Sequence, residues 1–136
     1  MDWLQSLDAG ILFFIQEHLR CAFLDPVMVW ISALGNAGFI WLIVTAVFFC
    51  LRSRRRMGAA LFLALTLCVL IGNIALKNLV ARPRPFVDFP DVVLLISPPG
   101  EFSFPSGHTL SSFAAAGVIF AAHRRLGIGA FCLAGL

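Results

Sequence analysis

Two short stretches of this chain hold its chemistry. Lys77, the only lysine, closes an apolar run, and Arg82 and Arg84 follow within "KNLVARPRPF" (77–86). Cations this close repel one another unless an anion sits among them. Phosphate is the natural anion, because arginine meets it with a planar two-pronged donor and lysine with a point charge. A lone lysine at a helix end would merely snorkel its ammonium toward water. The two arginines favour the anion site over that reading.

The second stretch is "FSFPSGHTLSSF" (102–113). A proline followed by small and polar residues ahead of an apolar run marks a helix start. The amides of Ser106, Gly107 and His108 then lack acceptors within the helix, and a helix N-terminus of this kind binds anions. Gly107 lets an oxyanion approach the backbone with no Cβ in the way, and Ser106 adds a hydroxyl donor. His108, an imidazole whose ordinary pKa lies near ~6.5, can protonate a leaving alkoxide or phosphate. A histidine alone at a helix start is commonly just a hydrogen-bonder; the adjoining serine, glycine and cations make this one a catalytic candidate.

These residues must be positioned by a membrane protein. Of the 136 residues 60% are hydrophobic and 12% charged, with mean hydropathy +0.95, whereas a soluble domain carries about 25% charged residues. The composition predicts an all-α fold: a polytopic transmembrane helix bundle in one domain, 1–136. Spans of about 20 apolar residues are expected at about 27–51, with a soft break at Gly35-Asn36, at 57–81, at 105–122 and from 126 onward. The opening segment 4–24 is too charged to span comfortably. Its Ile11, Ile15, Leu19 and Phe23 recur every four residues, the pattern of an interfacial amphipathic helix, with a tilted first span as the alternative. No basic region precedes the first apolar run, so no cleaved secretory signal is expected. Cys21, Cys50, Cys68 and Cys132 are scattered without metal-like pairing and read as small hydrophobes.

Charge orients the bundle. Arg52, Arg54, Arg55, Arg56, Arg124 and Arg125 fall in two short loops, which the positive-inside bias assigns to the cytoplasm. Partner or nucleic-acid binding is the weaker reading of these arginines. All acidic residues, from Asp2 to Glu101, then lie on the outer side with the loop 82–104. Pro83, Pro85, Pro90, Pro98, Pro99 and Pro105 forbid a regular helix through that loop. The preceding helix should end near Ala81 or Arg82, about one turn beyond Lys77.

Lys77, six intervening residues, Arg84-Pro85, and then Pro105-Ser106-Gly107-His108 resemble the first two motifs of the type 2 phosphatidic acid phosphatase superfamily. Its members are integral-membrane lipid phosphatases, with vanadium haloperoxidases as distant soluble relatives. The resemblance covers roughly residues 25–125 and selects Arg84 rather than Arg82 as the motif arginine. It implies that Lys77, Arg84, Ser106 and the Gly107 amide bind phosphate and that His108 protonates the leaving group. It further implies no metal and no cofactor, with cationic side chains and amides neutralising transition-state charge. The implied reaction is hydrolysis of a phosphomonoester or diphosphate on a membrane lipid, such as undecaprenyl diphosphate, phosphatidic acid or phosphatidylglycerophosphate, at the extracytoplasmic face of the cell membrane.

The family's third motif supplies an arginine, a nucleophilic histidine that becomes phosphorylated and an aspartate. Nothing in 109–136 matches it. His123 lies about 25 Å from Ser106 along a helix, at 1.5 Å per residue, and His18 lacks the motif's neighbours. The expectation is therefore a chain cut inside its fourth span, with the nucleophile beyond it. The alternative is a catalytically incomplete membrane fragment that binds a phosphate head group. A channel or transporter segment would need half-helices or repeats that the sequence lacks. A haloperoxidase would need a soluble helical domain.

Overall fold

The computed structural model describes residues 2–135, and these contain helices and loops but no strand. In chain order the helices are α1 (Asp2–His18), α2 (Leu24–Gly35), α3 (Phe39–Cys50), α4 (Arg55–Leu67), α5 (Lys77–Val80), α6 (Pro85–Asp88), α7 (Gly107–Ala122) and α8 (Arg124–Ala134). Short 3-10 turns at Asn36–Gly38 and Arg52–Arg54 precede α3 and α4, and π-helical turns over Cys68–Leu76 join α4 to α5. Within Arg52–Asp88 lies the stretch, among the described residues, that is long and apolar enough to cross a membrane, an 18-residue window of it having mean hydropathy 2.4; Leu24–Ala33, Phe39–Cys50 and Gly107–Ala122 are shorter apolar helices.

The core forms where three helices meet. Trp41 of α3, Leu61 and Leu65 of α4, and Ala115 and Ile119 of α7 make one buried cluster. Polar groups inside it are satisfied locally: Trp41 Nε1 donates to Ser112 Oγ at 3.0 Å and Thr45 Oγ1 to the Trp41 carbonyl at 2.7 Å. Small residues set how closely the backbones approach, as in membrane helix packing. A Cβ on Gly58 would lie 3.0 Å from the Phe49 amide nitrogen, and one on Gly127 would overlap the backbone of Phe120. Helices α7 and α8 form a tight antiparallel hairpin about His123, and Phe131 returns to pack on both Phe113 and Phe120.

The boundaries differ from the sequence reading in instructive ways. The expected span 27–51 is divided, because Gly38 adopts φ +67 after the 3-10 turn, a conformation that suits a residue without Cβ. The expected amphipathic helix 4–24 stops at His18, so Leu19 and Phe23 lie beyond it, while Ile11 and Ile15 stay exposed on it. The expected span 57–81 ends at Val80, and Ala81 closes it in the left-handed region at φ 46. The loop 82–104 carries a single helical turn at Pro85–Asp88, with proline at its start, where the missing N–H does no harm.

Only the tertiary structure shows where α1 docks. Gln16 donates to the Asp91 carbonyl at 3.2 Å and accepts from the Val93 amide at 2.9 Å, and Phe13 meets Phe89 edge-on. The Arg82 guanidinium pairs with Asp8. The first helix is thus tied to the loop 82–104.

Candidate active site

The π-helical turns carry the first part of the site. Lys77 N–H bonds to the Gly72 carbonyl, five residues back, and π turns of this kind recur at functional sites. Gly72 is buried against α7, where a Cβ would overlap Leu110 and reach Pro105. One residue further, Asn73 faces the start of α7: a Cβ on Gly107 would lie 3.4 Å from Asn73 Oδ1. Lys77 follows Asn73 by one turn, and both line a cavity of about 310 Å³ with Asn78, Gly100, Glu101 and Phe102.

Lys77 is buried, its side chain only 10% exposed, and its ammonium pairs with Glu101, whose side chain is 71% exposed. Arg84 caps the turn at Pro85–Asp88 and donates from Nε to the main-chain carbonyl of Glu101 at 2.7 Å. Both expected phosphate ligands therefore converge on one residue. The Lys77 ammonium holds the Glu101 carboxyl below its ordinary value of 4.5, through a hydrogen bond first and charge second; desolvation opposes this, and Arg84 adds a smaller lowering. Of the three cations predicted to repel one another, two pair with carboxylates: Lys77 with Glu101 and Arg82 with Asp8. Arg82 is engaged with α1. Its carbonyl also accepts from Ser103 N at 2.9 Å and Ser103 Oγ at 3.1 Å, which pins the two ends of the outer loop together.

Ser106 is the N-cap of α7, its hydroxyl accepting from the Thr109 amide at 3.4 Å, as a capping serine does. Gly107 and His108 are the first residues of that helix. The Phe104–Pro105 peptide just before them is cis. His108 turns toward α2: its Nε2 lies 3.1 Å from the Ser32 carbonyl. A carbonyl can only accept, so Nε2 carries the proton of this bond and Nδ1 is left for proton transfer. A Cβ on Gly35 would come within 2.5 Å of His108 Cδ2. The Gly35-Asn36 break that the sequence displays is thus where α2 makes room for the imidazole.

The structure brings Lys77 and Arg84 together through Glu101, and sets Gly107 beside Asn73 at the same end of the bundle. It draws His108 to a different flank of α7, and among the described residues no contact joins that ring to either cation. Glu101, Asn73 and Ser32 were not singled out by sequence reasoning, and Gly35 only as a break between helices. Asn73 had a visible signal, a carboxamide inside the apolar run "LCVLIGNIAL", where polar residues are costly and mark function. Glu101 had none, because an acid in a proline-rich loop declares its partner only on folding.

The other histidines are elsewhere. His18 stacks on Phe14 at 4.5 Å, with Nδ1 3.1 Å from the Phe14 carbonyl. His123 caps the far end of α7, a helix of 16 residues and hence roughly 24 Å long at 1.5 Å per residue.

The family model described as PAP2 superfamily matches residues 56–135, from the start of α4 through α8. An undecaprenyl-diphosphatase of Sulfolobus acidocaldarius is 31% identical over 100 residues, covering 73% of this chain and 47% of that protein. The chain thus spans about half the length of this curated relative. No solved structure matches it significantly. The matched stretch includes Lys77, Arg84 and the start of α7, and by its extent the chain belongs to the PAP2 superfamily.

Proposed function

We propose that the protein hydrolyses a phosphomonoester or diphosphate carried by a membrane lipid, with Lys77 and Arg84 holding the phosphoryl oxygens. The observation that carries this reading is their convergence on one anion-bearing residue beside the start of α7. Ser106 and the Gly107 amide complete the cradle. Positive charge fixed in place before the reaction stabilises the anionic transition state with no reorganisation, so no metal is required. His108 gives a proton to the leaving oxygen as the P–O bond breaks. By the family resemblance the phosphoryl group passes to a third-motif histidine, and water then cleaves the P–N bond and releases it as orthophosphate.

The outward faces of the helices support a lipid setting. Phe62, Leu63, Leu70, Ile71 and Ile74 all stay exposed along α4 and its π-helical continuation, a surface suited to acyl chains rather than water. The arginine-rich turns at Arg52–Arg54 and His123–Arg125 would face the cytoplasm, which sets the cavity at the extracytoplasmic side of a multi-pass bundle. The relative's printed activity makes undecaprenyl diphosphate the first substrate to try, with phosphatidic acid and phosphatidylglycerophosphate as comparators.

The test is orthophosphate release by the full-length protein from each of these lipids in detergent, with EDTA present. Turnover is expected, and a strict requirement for added magnesium would refute the metal-free mechanism. External thiol labelling should reach a cysteine placed at Asp91 and miss one at Ser53; the reverse pattern inverts the topology. A second reading, phosphate binding without turnover, rests on His18 and His123 lying away from the cluster. Under it residues 1–136 alone bind orthophosphate and release none from lipid, and measurable turnover by that chain would overturn it.

A further inference from the structure

We propose that Glu101 is a positioning residue that stands where the substrate phosphoryl group goes and yields that place when substrate arrives. The proposal rests on the reading that Lys77 and Arg84 bind phosphate, and it adds a function for a residue outside both motifs.

Two separate interactions from one residue carry the argument. The Glu101 carboxylate takes the Lys77 ammonium, and its main-chain carbonyl takes Arg84 Nε at 2.7 Å. Together they offer oxygen acceptors to both cations, as a phosphoryl group would. The Lys77 side chain is 10% exposed and the Glu101 side chain 71%, so the ammonium is fixed in the protein while the carboxylate is free to swing into solvent. Space agrees with that motion. A Cβ added to the adjoining Gly100 would meet nothing within 4 Å.

Glu101 also stands between two cavities. It lines the polar one of about 310 Å³ beside Lys77 and Asn73, and a second of about 420 Å³ beside Arg84, Phe86, Val87 and Pro98. A phosphoryl group bridging Lys77 and Arg84 must take the place of the carboxylate, and displacing it joins the polar space to the apolar one. Between turnovers the carboxylate neutralises Lys77 while the main-chain carbonyl of the same residue holds Arg84. The consequence is competition: apparent affinity for any phosphate is lowered by the fraction of molecules in which Glu101 occupies the site.

The test is Glu101→Gln in the full-length protein, which keeps the main-chain carbonyl on Arg84 and removes the charge from the competitor. KM for a lipid phosphate and the inhibition constant of orthophosphate should both fall, by about threefold to tenfold for an ion pair with one exposed partner. A residue needed only for folding would not tighten binding, and kcat should not rise with it. Line broadening of the orthophosphate phosphorus resonance reads the same affinity ratio without turnover, and Glu101→Ala should move it in the same direction. Unchanged or weakened phosphate binding in both variants overturns the proposal. Lys77→Met separates the two failures. If it retains wild-type kcat/KM, the phosphate reading itself is wrong; if it is inactive while the Glu101 variants bind like wild type, only the role of Glu101 is.

Discussion

Replacing Lys77 by methionine should separate stability from activity. In the folded protein the ammonium is nearly buried, but its partner carboxylate is 71% exposed, so the pair lies close to the regime of surface ion pairs, worth at most about 1 kcal/mol. Methionine retains an unbranched stem in the same space and removes the desolvation cost of a buried charge, a change that is often neutral. Glu101 returns to water and leaves no unpaired charge inside. Unfolding free energy should therefore move by less than about 1 kcal/mol. Catalysis loses a preorganised cationic donor, and removing one such donor costs about 3–4 kcal/mol, or ~10²–10³ in rate. The assay is orthophosphate release from lipid phosphate micelles, run beside thermal unfolding followed by the fluorescence of Trp41, which is buried in the core. Activity within threefold of wild type would refute the phosphate role. A loss of several kcal/mol in stability would show instead that the Lys77–Glu101 pair holds the fold.

Three further outcomes follow from the same geometry. Arg84→Lys removes a planar fork from the site and should lower kcat/KM by about a hundredfold. Arg82→Lys, whose parent guanidinium is spent on Asp8, should cost under about tenfold, and the reverse order in the same phosphate assay would undo the assignment. Gly35→Ala sets a Cβ within 2.5 Å of the His108 ring; displacing the ring from Ser32 should lower kcat about tenfold or more with KM little changed, and an unaltered kcat would show that the imidazole does not need this seat. Because the Glu101 carboxyl is depressed below 4.5 by Lys77 and then Arg84, its stabilising effect is complete above the ordinary carboxylate value and is lost as pH falls through the depressed one. Exchange protection of the Ser103 amide should thus stay flat on acidification to about pH 4.5 and fall only below it. In Glu101→Gln that acid step should vanish, and its persistence would assign it to another carboxylate.

The sequence by itself determined the helical class, the apolar run that ends just past Lys77, and the helix start at Ser106, because hydropathy, proline placement and capping chemistry are local and legible. Resemblance to a known motif singled out Arg84 over Arg82; in the fold Arg82 pairs with Asp8 of α1 and Arg84 with the Glu101 carbonyl. Misreadings of the sequence were of extent. Ile11, Ile15, Leu19 and Phe23 have helical spacing, yet α1 ends at His18, since periodicity shows which face is apolar and not where a helix stops. The break at Gly35-Asn36 was visible as a weak point; only the fold revealed that Gly35 leaves room for His108.

Tertiary structure alone decided what the charged and polar side chains do. The partner of Lys77 lies 24 residues away, that of Arg82 lies 74 away, and that of His108 lies 76 away. No local pattern encodes such distances, because they are set by how the loop 82–104, α1 and α2 pack against the helix ends. Residue type and spacing could name the groups able to bind an anion. Whether those groups meet, and which carboxylate they hold when they do, depends on packing between segments remote in the chain.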